Sequence, residues 1–166
     1  MVKYMNNQSP RTKRKNEGVK GYVFTFFSTA SAVGKTVLAV NYAADLAERG
    51  YKVCLADLDL QFGDACNYLG ITPETTFFNY YEQKKKKRDT SLCMTETNFG
   101  FDVLAAPLEV DEGFLIDAET IVQAINQLRD DYDYVLLDTT TGFTGISLAI
   151  LEQTDVLYLP CVVDFI

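Results

Sequence analysis

The sequence contains no histidine and no tryptophan, and its four cysteines lie far apart. Zinc sites are built from cysteine and histidine at short, regular spacings, so the lack of histidine and of any CxxC pair argues against one. The cysteines are Cys54, Cys66, Cys93 and Cys161. We expect reduced, structural thiols, with Cys54 and Cys161 inside apolar strands.

Long hydrophobic runs are also missing. No stretch approaches the roughly 20 apolar residues that span a bilayer, and the polar, basic segment Met1–Lys20 lacks the apolar core of a secretory signal. The cytoplasm is therefore the expected compartment. A chain of 166 residues has room for one domain. We expect a flexible basic lead over residues 1–19 and one folded domain over residues 20–166.

Basic residues are scarce outside two short segments. The net charge is −8, from 15 basic and 23 acidic side chains. Six basic residues lie in Met1–Lys20 and five in Lys84–Arg88, which leaves four against 22 acidic residues elsewhere. An acidic body repels the phosphates of nucleic acids and anionic lipids. Nucleic-acid binding is therefore not expected, and any membrane contact is expected to be peripheral.

Apolar periodicity predicts strands that alternate with helices. The expected strands are Gly21–Ser28, Lys52–Ala56, Phe101–Ala105, Tyr134–Leu137 and Asp155–Val163. The expected helices are Gly34–Arg49, Asp64–Leu69, Thr76–Gln83, Ala118–Arg129 and Gly145–Glu152. This alternation predicts an α/β fold with a doubly wound, mostly parallel sheet covered by helices on both faces. We expect Lys84–Asn98 to be a mobile surface segment and Glu109–Glu112 a solvated loop.

The strongest functional signal is the stretch Ser28–Thr36 (STASAVGKT), between the first strand and the first long helix. A helix N-terminus offers free backbone N–H groups and a positive dipole end to a phosphate. Gly34 allows close approach of the backbone, Lys35 can reach the β- and γ-phosphates, and the Thr36 hydroxyl can bind Mg²⁺. The stretch departs from the pattern G-x-x-x-x-G-K-[ST], because Thr29 replaces its first glycine.

Aspartates follow two other expected strands. Asp57 and Asp59 come at the end of the second strand, and Asp138 ends the fourth. Ligands of open parallel sheets bind beyond the carboxyl ends of the strands, so these carboxylates are expected near the phosphate loop. They can hold Mg²⁺, directly or through water, and orient an attacking water. Each aspartate alone also fits an ordinary acidic turn, but the three signals together favour ATP and Mg²⁺ as ligands.

These motifs resemble the MinD/ParA superfamily of ATPases. The stretch Ser28–Thr36 is similar to the deviant Walker A loop of that family, K-G-G-x-G-K-T. The string AVNYAADLAERGYKVCLADLDLQFGD is similar to the family's first helix, second strand and switch I. The strings DLDLQFGD, LGITPETT, FDVLAAP and YDYVLLD resemble the pilus-assembly (CpaE/TadZ) branch. The resemblance covers about Gly21–Val163.

The resemblance implies a role for each matching residue. Lys35 and Asp59 would be the catalytic residues, Asp59 as the switch I carboxylate that supports water attack. The metal-binding residues would be Thr36, Asp57, Asp59 and Asp138, the last as the Walker B acid. The nucleotide-binding residues would be Ser31, Ala32, Val33, Gly34, Lys35, Thr36 and Val37.

The chain departs from the family at two places. The family's signature lysine, which neutralises transition-state charge across a dimer interface, falls at Ala30. This departure predicts retained ATP binding with slow or absent hydrolysis. The family also continues to an adenine-binding segment and C-terminal helices, whereas this chain ends at Ile166. The expected domain therefore looks truncated at its C-terminus.

The function that the resemblance implies is a nucleotide-controlled localisation or assembly factor for pilus or secretion machinery. ATP would lie at the interface of a homodimer, which partners could bring to the cell pole or the membrane. Alternatives are a ParA-like DNA-partition ATPase, a MinD-like membrane-cycling ATPase and a scaffold that binds no nucleotide. A small-molecule kinase or synthetase on the same fold would leave DLDLQFGD unexplained.

Overall fold

The computed structural model describes residues 20–86, 92 and 94–162. Its strands are β1 (Tyr22–Phe26), β2 (Val53–Leu58), β3 (Thr95–Glu96), β4 (Asp102–Leu104), β5 (Tyr134–Thr139) and β6 (Val156–Tyr158). Its helices are α1 (Lys35–Glu48), α2 (Ala65–Leu69), α3 (Phe77–Lys85), α4 (Val110–Leu115), α5 (Ala118–Asp131) and α6 (Gly145–Glu152). The described strands form one sheet in the order β3-β4-β2-β5-β1-β6.

The sheet is parallel except at one edge. β1 pairs in parallel with β5 and β6, β2 pairs in parallel with β4 and β5, and β3 is antiparallel to β4. Helices cover both faces, because alternate residues of the buried central strands enter two separate apolar clusters. Leu55 and Leu136 pack with α1 and α2, whereas Ala56 and Leu137 pack with α3, α5 and α6. The predicted doubly wound α/β fold is confirmed.

Two surface segments differ from the sequence prediction. Lys84–Asn98 is predicted to be a mobile surface segment, whereas its described part includes Lys84 and Lys85 at the end of α3 and the strand β3; residues 87–91 and 93 lie outside the described residues. A two-residue edge strand is too short to show periodicity. The predicted loop at Glu109–Glu112 is instead the start of α4. Its Gly113 is buried against the Leu60 backbone, a tertiary contact that sequence periodicity does not report.

The last strand is shorter than predicted. β6 ends at Tyr158, whereas Asp155–Val163 was expected, and Pro160 has no N–H to continue a strand ladder. Cys161 is therefore exposed beyond β6, which corrects its predicted place inside a strand, while Cys54 is buried in β2 as expected. The predicted lead (residues 1–19) and Cys93 lie outside the described residues. Among the described helices, none combines the length and the apolar character needed to cross a membrane.

Asp117 caps the N-terminus of α5, where its carboxylate accepts a hydrogen bond from the Thr120 amide at 2.7 Å. We expect Asp117→Ala to lower the free energy of unfolding by about 1 kcal/mol, as for typical N-cap residues. The hydrogen bonds from Thr120 also lower the pKa of Asp117. The stabilisation by the Asp117 charge is therefore fully present above the pKa of Asp117 in the unfolded chain, about 4. It is lost as the pH falls through the lower pKa of Asp117 in the folded protein.

Urea unfolding measures this effect in the wild type, Asp117→Ala and Asp117→Asn. The pH should run from roughly 2.5 to 7, a range that spans the reference pKa of about 4. Asparagine keeps a capping oxygen but has no charge to titrate, so the stability of Asp117→Asn should lack this pH dependence. A loss in Asp117→Ala that stays the same at every pH would contradict the charged cap.

Candidate nucleotide site

The loop between β1 and α1 is folded tightly at the carboxyl edge of the sheet. The Ser28 hydroxyl accepts a hydrogen bond from the Ala30 amide at 3.0 Å and donates one to the Ala30 carbonyl at 2.9 Å. Ala32 and Gly34 both have left-handed backbone, with φ of 56° and 86°. Left-handed backbone strains an alanine but not a glycine. A Cβ at Gly34 would meet no atom within 4 Å, so this glycine is required by its φ, and the space beside it is open.

The N-terminus of α1 carries no capping side chain. Gly34 occupies the N-cap position, and the first turn contains no acidic residue. The first amide that bonds back into the helix is that of Leu38, which donates to the Gly34 carbonyl. The amides of Lys35, Thr36 and Val37 have no acceptor within the helix. This open, positively polarised end is the arrangement that binds phosphate.

Lys35 joins the loop to the segment that follows β5. Its Nζ donates a hydrogen bond to the Thr141 hydroxyl at 3.1 Å, and the Gly142 amide donates to the Ser28 carbonyl at 3.0 Å. The two loops are therefore connected by a side-chain and a backbone hydrogen bond. The sequence analysis does not identify Thr141 as a site residue. The three hydroxyl side chains of Thr139–Thr141, directly after Asp138, could have indicated one.

Asp138 lies beneath the first turn of α1 and is 1% exposed. The Thr36 side chain lies near the Asp138 carboxylate, whose Oδ1 is buried with no hydrogen-bond partner. Burial raises the pKa of Asp138 to about 6, against the opposing effects of the Thr36 side chain and the Lys35 charge. A buried oxygen without a partner destabilises the fold unless a cation or a hydrogen-bond donor contacts it. The Asp138 and Thr36 pair therefore fits a bound cation.

Asp57 is the register partner of Asp138 on β2, so both carboxylates project to the same face of the sheet. Its Oδ1 accepts the Asp59 amide at 3.2 Å, and its Oδ2 accepts the Ala65 amide at 3.0 Å. Burial, and secondly the charge of Asp138, raise the pKa of Asp57 to about 8. Asp59 is half-buried in the loop above. Asp57 and Asp138 lie inside their strands, rather than after them as the sequence predicts.

The acidic side chains alone do not form a complete metal site. Within the part of the chain that the structure describes, no three His, Cys, Asp or Glu side chains are grouped to hold a metal ion. Mg²⁺ in phosphate-binding sites is typically held by one or two carboxylates, with phosphate oxygens and water as the other ligands. The Asp138 and Thr36 pair fits an ion of this kind, which binds together with a nucleotide.

Known proteins are similar to this chain in sequence and in fold. The family model for the AAA domain matches residues 23–165. The septum site-determining protein MinD of Helicobacter pylori is 32% identical over 134 residues, which are 78% of this chain and 49% of that protein. A ParA family ATPase from Chlorobium tepidum has a TM-score of 0.75 at 23% identity, over 84% of this chain and 60% of its own. MinD from Pyrococcus horikoshii, solved as a complex with Mg-ADP, has a TM-score of 0.74 at 21% identity. The match covers 84% of this chain and 57% of that chain.

The parallel sheet and the loop before α1 define a P-loop domain. The chain belongs to the AAA domain family, within the MinD/ParA superfamily of P-loop ATPases. It spans about half of the length of its curated relatives, between 49% and 58% for the first three.

Asp138→Asn tests the electrostatics of the site. Since burial raises the pKa of Asp138, its ionised form destabilises the metal-free protein, and we expect the substitution to raise the free energy of unfolding at neutral pH by about 1 kcal/mol. Folded Asp57 and Asp138 keep their protons to higher pH than in the unfolded chain. The stability of the metal-free wild type should therefore fall as the pH rises from about 4 to about 8, and less steeply in Asp138→Asn.

Thermal and urea unfolding in a chelator at several pH values measures this difference, with Glu48→Gln, an exposed carboxylate at the far end of α1, as the matched control. Addition of Mg²⁺ and ATP should stabilise the wild type more than Asp138→Asn. A metal-free Asp138→Asn protein that is less stable than the wild type at neutral pH would contradict the assignment.

Proposed function

We propose that this chain binds ATP and Mg²⁺ at the Ser28–Thr36 loop and acts as a nucleotide-controlled localisation or assembly factor. One observation carries the proposal. The uncapped N-terminus of α1 lies directly beside the Thr36 and Asp138 pair, so a phosphate-binding group and a cation-binding group are neighbours. A Mg²⁺-nucleotide brings both charges that this arrangement can accept.

Each residue has a specific task in this proposal. Backbone amides between Ser31 and Val37 would hold the phosphates, and Lys35 would exchange its hydrogen bond with Thr141 for one with a phosphate oxygen. Thr36 and Asp138 would hold Mg²⁺, which neutralises phosphate charge when bound. Asp59 would orient the attacking water or a metal-bound water. Because Thr141 loses its bond to Lys35, the loop after β5 would respond to the bound nucleotide.

A homodimer through the nucleotide face is part of the proposal. Large apolar side chains are exposed in the segments that follow the carboxyl ends of β2, β4 and β5. Phe62 is 71% exposed, Phe114 68% and Phe143 66%. Exposed apolar side chains grouped at one edge of a sheet are typical of protein-binding surfaces. The DLDLQFGD string, which resembles the CpaE/TadZ branch, supports partners from pilus or secretion machinery.

Ala30 supports slow or absent hydrolysis. Its methyl group is exposed in the phosphate loop, at the position where the family's deviant Walker A loop has a lysine. An alanine cannot neutralise the charge that develops on a transferring phosphoryl group, and such groups contribute large rate factors. The proposed protein therefore uses ATP mainly as a bound ligand that selects a conformation.

A ParA-like partition ATPase is the alternative, favoured by the likeness to the Chlorobium tepidum structure. It would need non-specific binding to DNA phosphates. In the described part of the basic run, however, Lys84 donates to the Thr120 hydroxyl at 3.1 Å and Lys86 pairs with Glu82. A salt-dependent DNA shift with the ATP-bound protein would favour this alternative over the proposed function.

Lys35→Ala should weaken the binding of ATP with Mg²⁺ by roughly 10-fold or more, because a charged hydrogen bond to phosphate is lost. Isothermal titration calorimetry measures the change. Lys52→Ala is the matched control, since Lys52 lies over the Tyr132 ring, 4.5 Å from its centre, at the amino end of β2. If the folded wild type binds no nucleotide at millimolar ATP and Mg²⁺, the proposed function is wrong.

Ala30→Lys should raise steady-state ATP turnover by roughly 10-fold or more, since it restores a cation to the loop. Ala30→Gln has a similar length without the charge and should leave turnover near that of the wild type. Lys35→Ala in the Ala30→Lys background should abolish the gain. Rapid turnover by the unmodified protein would rule out the assignment of Ala30 as the cause of slow hydrolysis.

A further inference from the structure

Asp57 makes contacts that differ from those of a metal ligand. Both of its oxygens accept backbone amides from the segment that follows β2, one at Asp59 and one at Ala65. Ala65 is the first residue of α2, and the N-cap residue of that helix, Asp64, makes no capping hydrogen bond with its own side chain. The α2 helix is therefore capped by a carboxylate from the adjacent strand end.

The segment from Asp59 to Asp64 closes tightly over this carboxylate. A Cβ added to Gly63 would lie 2.6 Å from Asp57 Oδ2 and 2.3 Å from the Ala106 Cβ. Real Cβ atoms do not approach so closely, so only glycine fits between Asp57 and the segment after β4. The loop is thus held by hydrogen bonds at both ends and by close packing between them.

The two neighbouring carboxylates consequently have different tasks. Asp138 has a buried oxygen with no partner, whereas both oxygens of Asp57 are used and its side chain is almost fully buried. Each oxygen of Asp57 keeps one lone pair, but Gly63 packs directly against Oδ2, so a metal could reach that oxygen only if the Asp59 loop moved. The geometry favours metal binding at Asp138 and loop anchoring at Asp57.

We propose that Asp57 is a positioning residue, which fixes the Asp59 loop and the start of α2 and acts on bound Mg²⁺ only through Asp59. This replaces the role of metal ligand that the sequence predicts for Asp57. The anchoring of the loop is a property of the protein without ligand. The effect of Asp57 on bound Mg²⁺ rests on the proposed function.

Hydrogen–deuterium exchange on the ligand-free protein tests the anchor. Asp57→Asn keeps one accepting oxygen but turns an NH₂ group toward a backbone donor, so peptides covering residues 59–66 should exchange about 10-fold faster or more. Gly63→Ala should do the same by steric pressure while Asp57 is intact. Asp64→Asn, on the exposed side of the loop, is the matched control. Peptides from β2 should exchange as in the wild type, which separates local opening from global unfolding.

A double-mutant cycle tests whether Asp57 acts through Asp59. We expect Asp57→Asn to reduce the gain in ATP affinity that Mg²⁺ provides, and to have no such effect in an Asp59→Asn background. Independent, multiplying effects of the two substitutions would show that Asp57 binds the metal itself and would overturn the proposal.

Unchanged exchange at residues 59–66 in both Asp57→Asn and Gly63→Ala would also overturn the proposal, whatever the nucleotide result. If the wild type binds no ATP, the exchange experiment still decides whether Asp57 anchors the loop. Failure of the anchor and failure of the proposed function are therefore distinguishable.

Discussion

Two carboxylates buried side by side, Asp57 on β2 and Asp138 on β5, constrain the whole carboxyl edge of this sheet. Like charges in a low-dielectric environment oppose each other's ionisation, so each needs its own compensation. Asp57 has two backbone amides, whereas Asp138 has the Thr36 side chain, the nearby Lys35 charge and one oxygen without a partner. Asp138, whose charge is less fully compensated, lies beneath the uncapped N-terminus of α1. The electrostatics of the sheet thus place the proposed cation-binding position next to the proposed phosphate-binding one.

The strands and helices that surround this pair could be predicted from the sequence. β1, α1, β2 and β5 have continuous apolar strands or a regular helical period, which local pattern alone reports. β3 has two residues, and α4 depends on Gly113 packing against Leu60, so neither produces a local pattern. Their positions follow from tertiary contacts between segments that are distant in the sequence.

The candidate site was predictable in its residues but not in their division of labour. The sequence places Lys35, Thr36, Asp57 and Asp138 at one edge, and the structure places them there. It does not distinguish an aspartate that would bind a cation from one that would anchor a loop, because each follows an apolar run in the sequence. The two aspartates differ in which backbone amides donate hydrogen bonds to each carboxylate. That difference depends on the path of the chain between Asp59 and Ala65. The metal and catalytic roles themselves stay predictions.

The packing around the Asp59 loop determines how far a change at the site can spread. Gly113 of α4 is buried against Leu60, and a Cβ there would lie 2.2 Å from the Leu60 carbonyl oxygen. A shift of the loop must therefore move α4 or break this contact, because close-packed segments transmit displacement. Phe114 and Leu115, which follow Gly113 directly, are exposed. If the proposed nucleotide repositioned Asp59, this packing would couple the change to the exposed apolar side chains of α4, without any contact between ligand and helix.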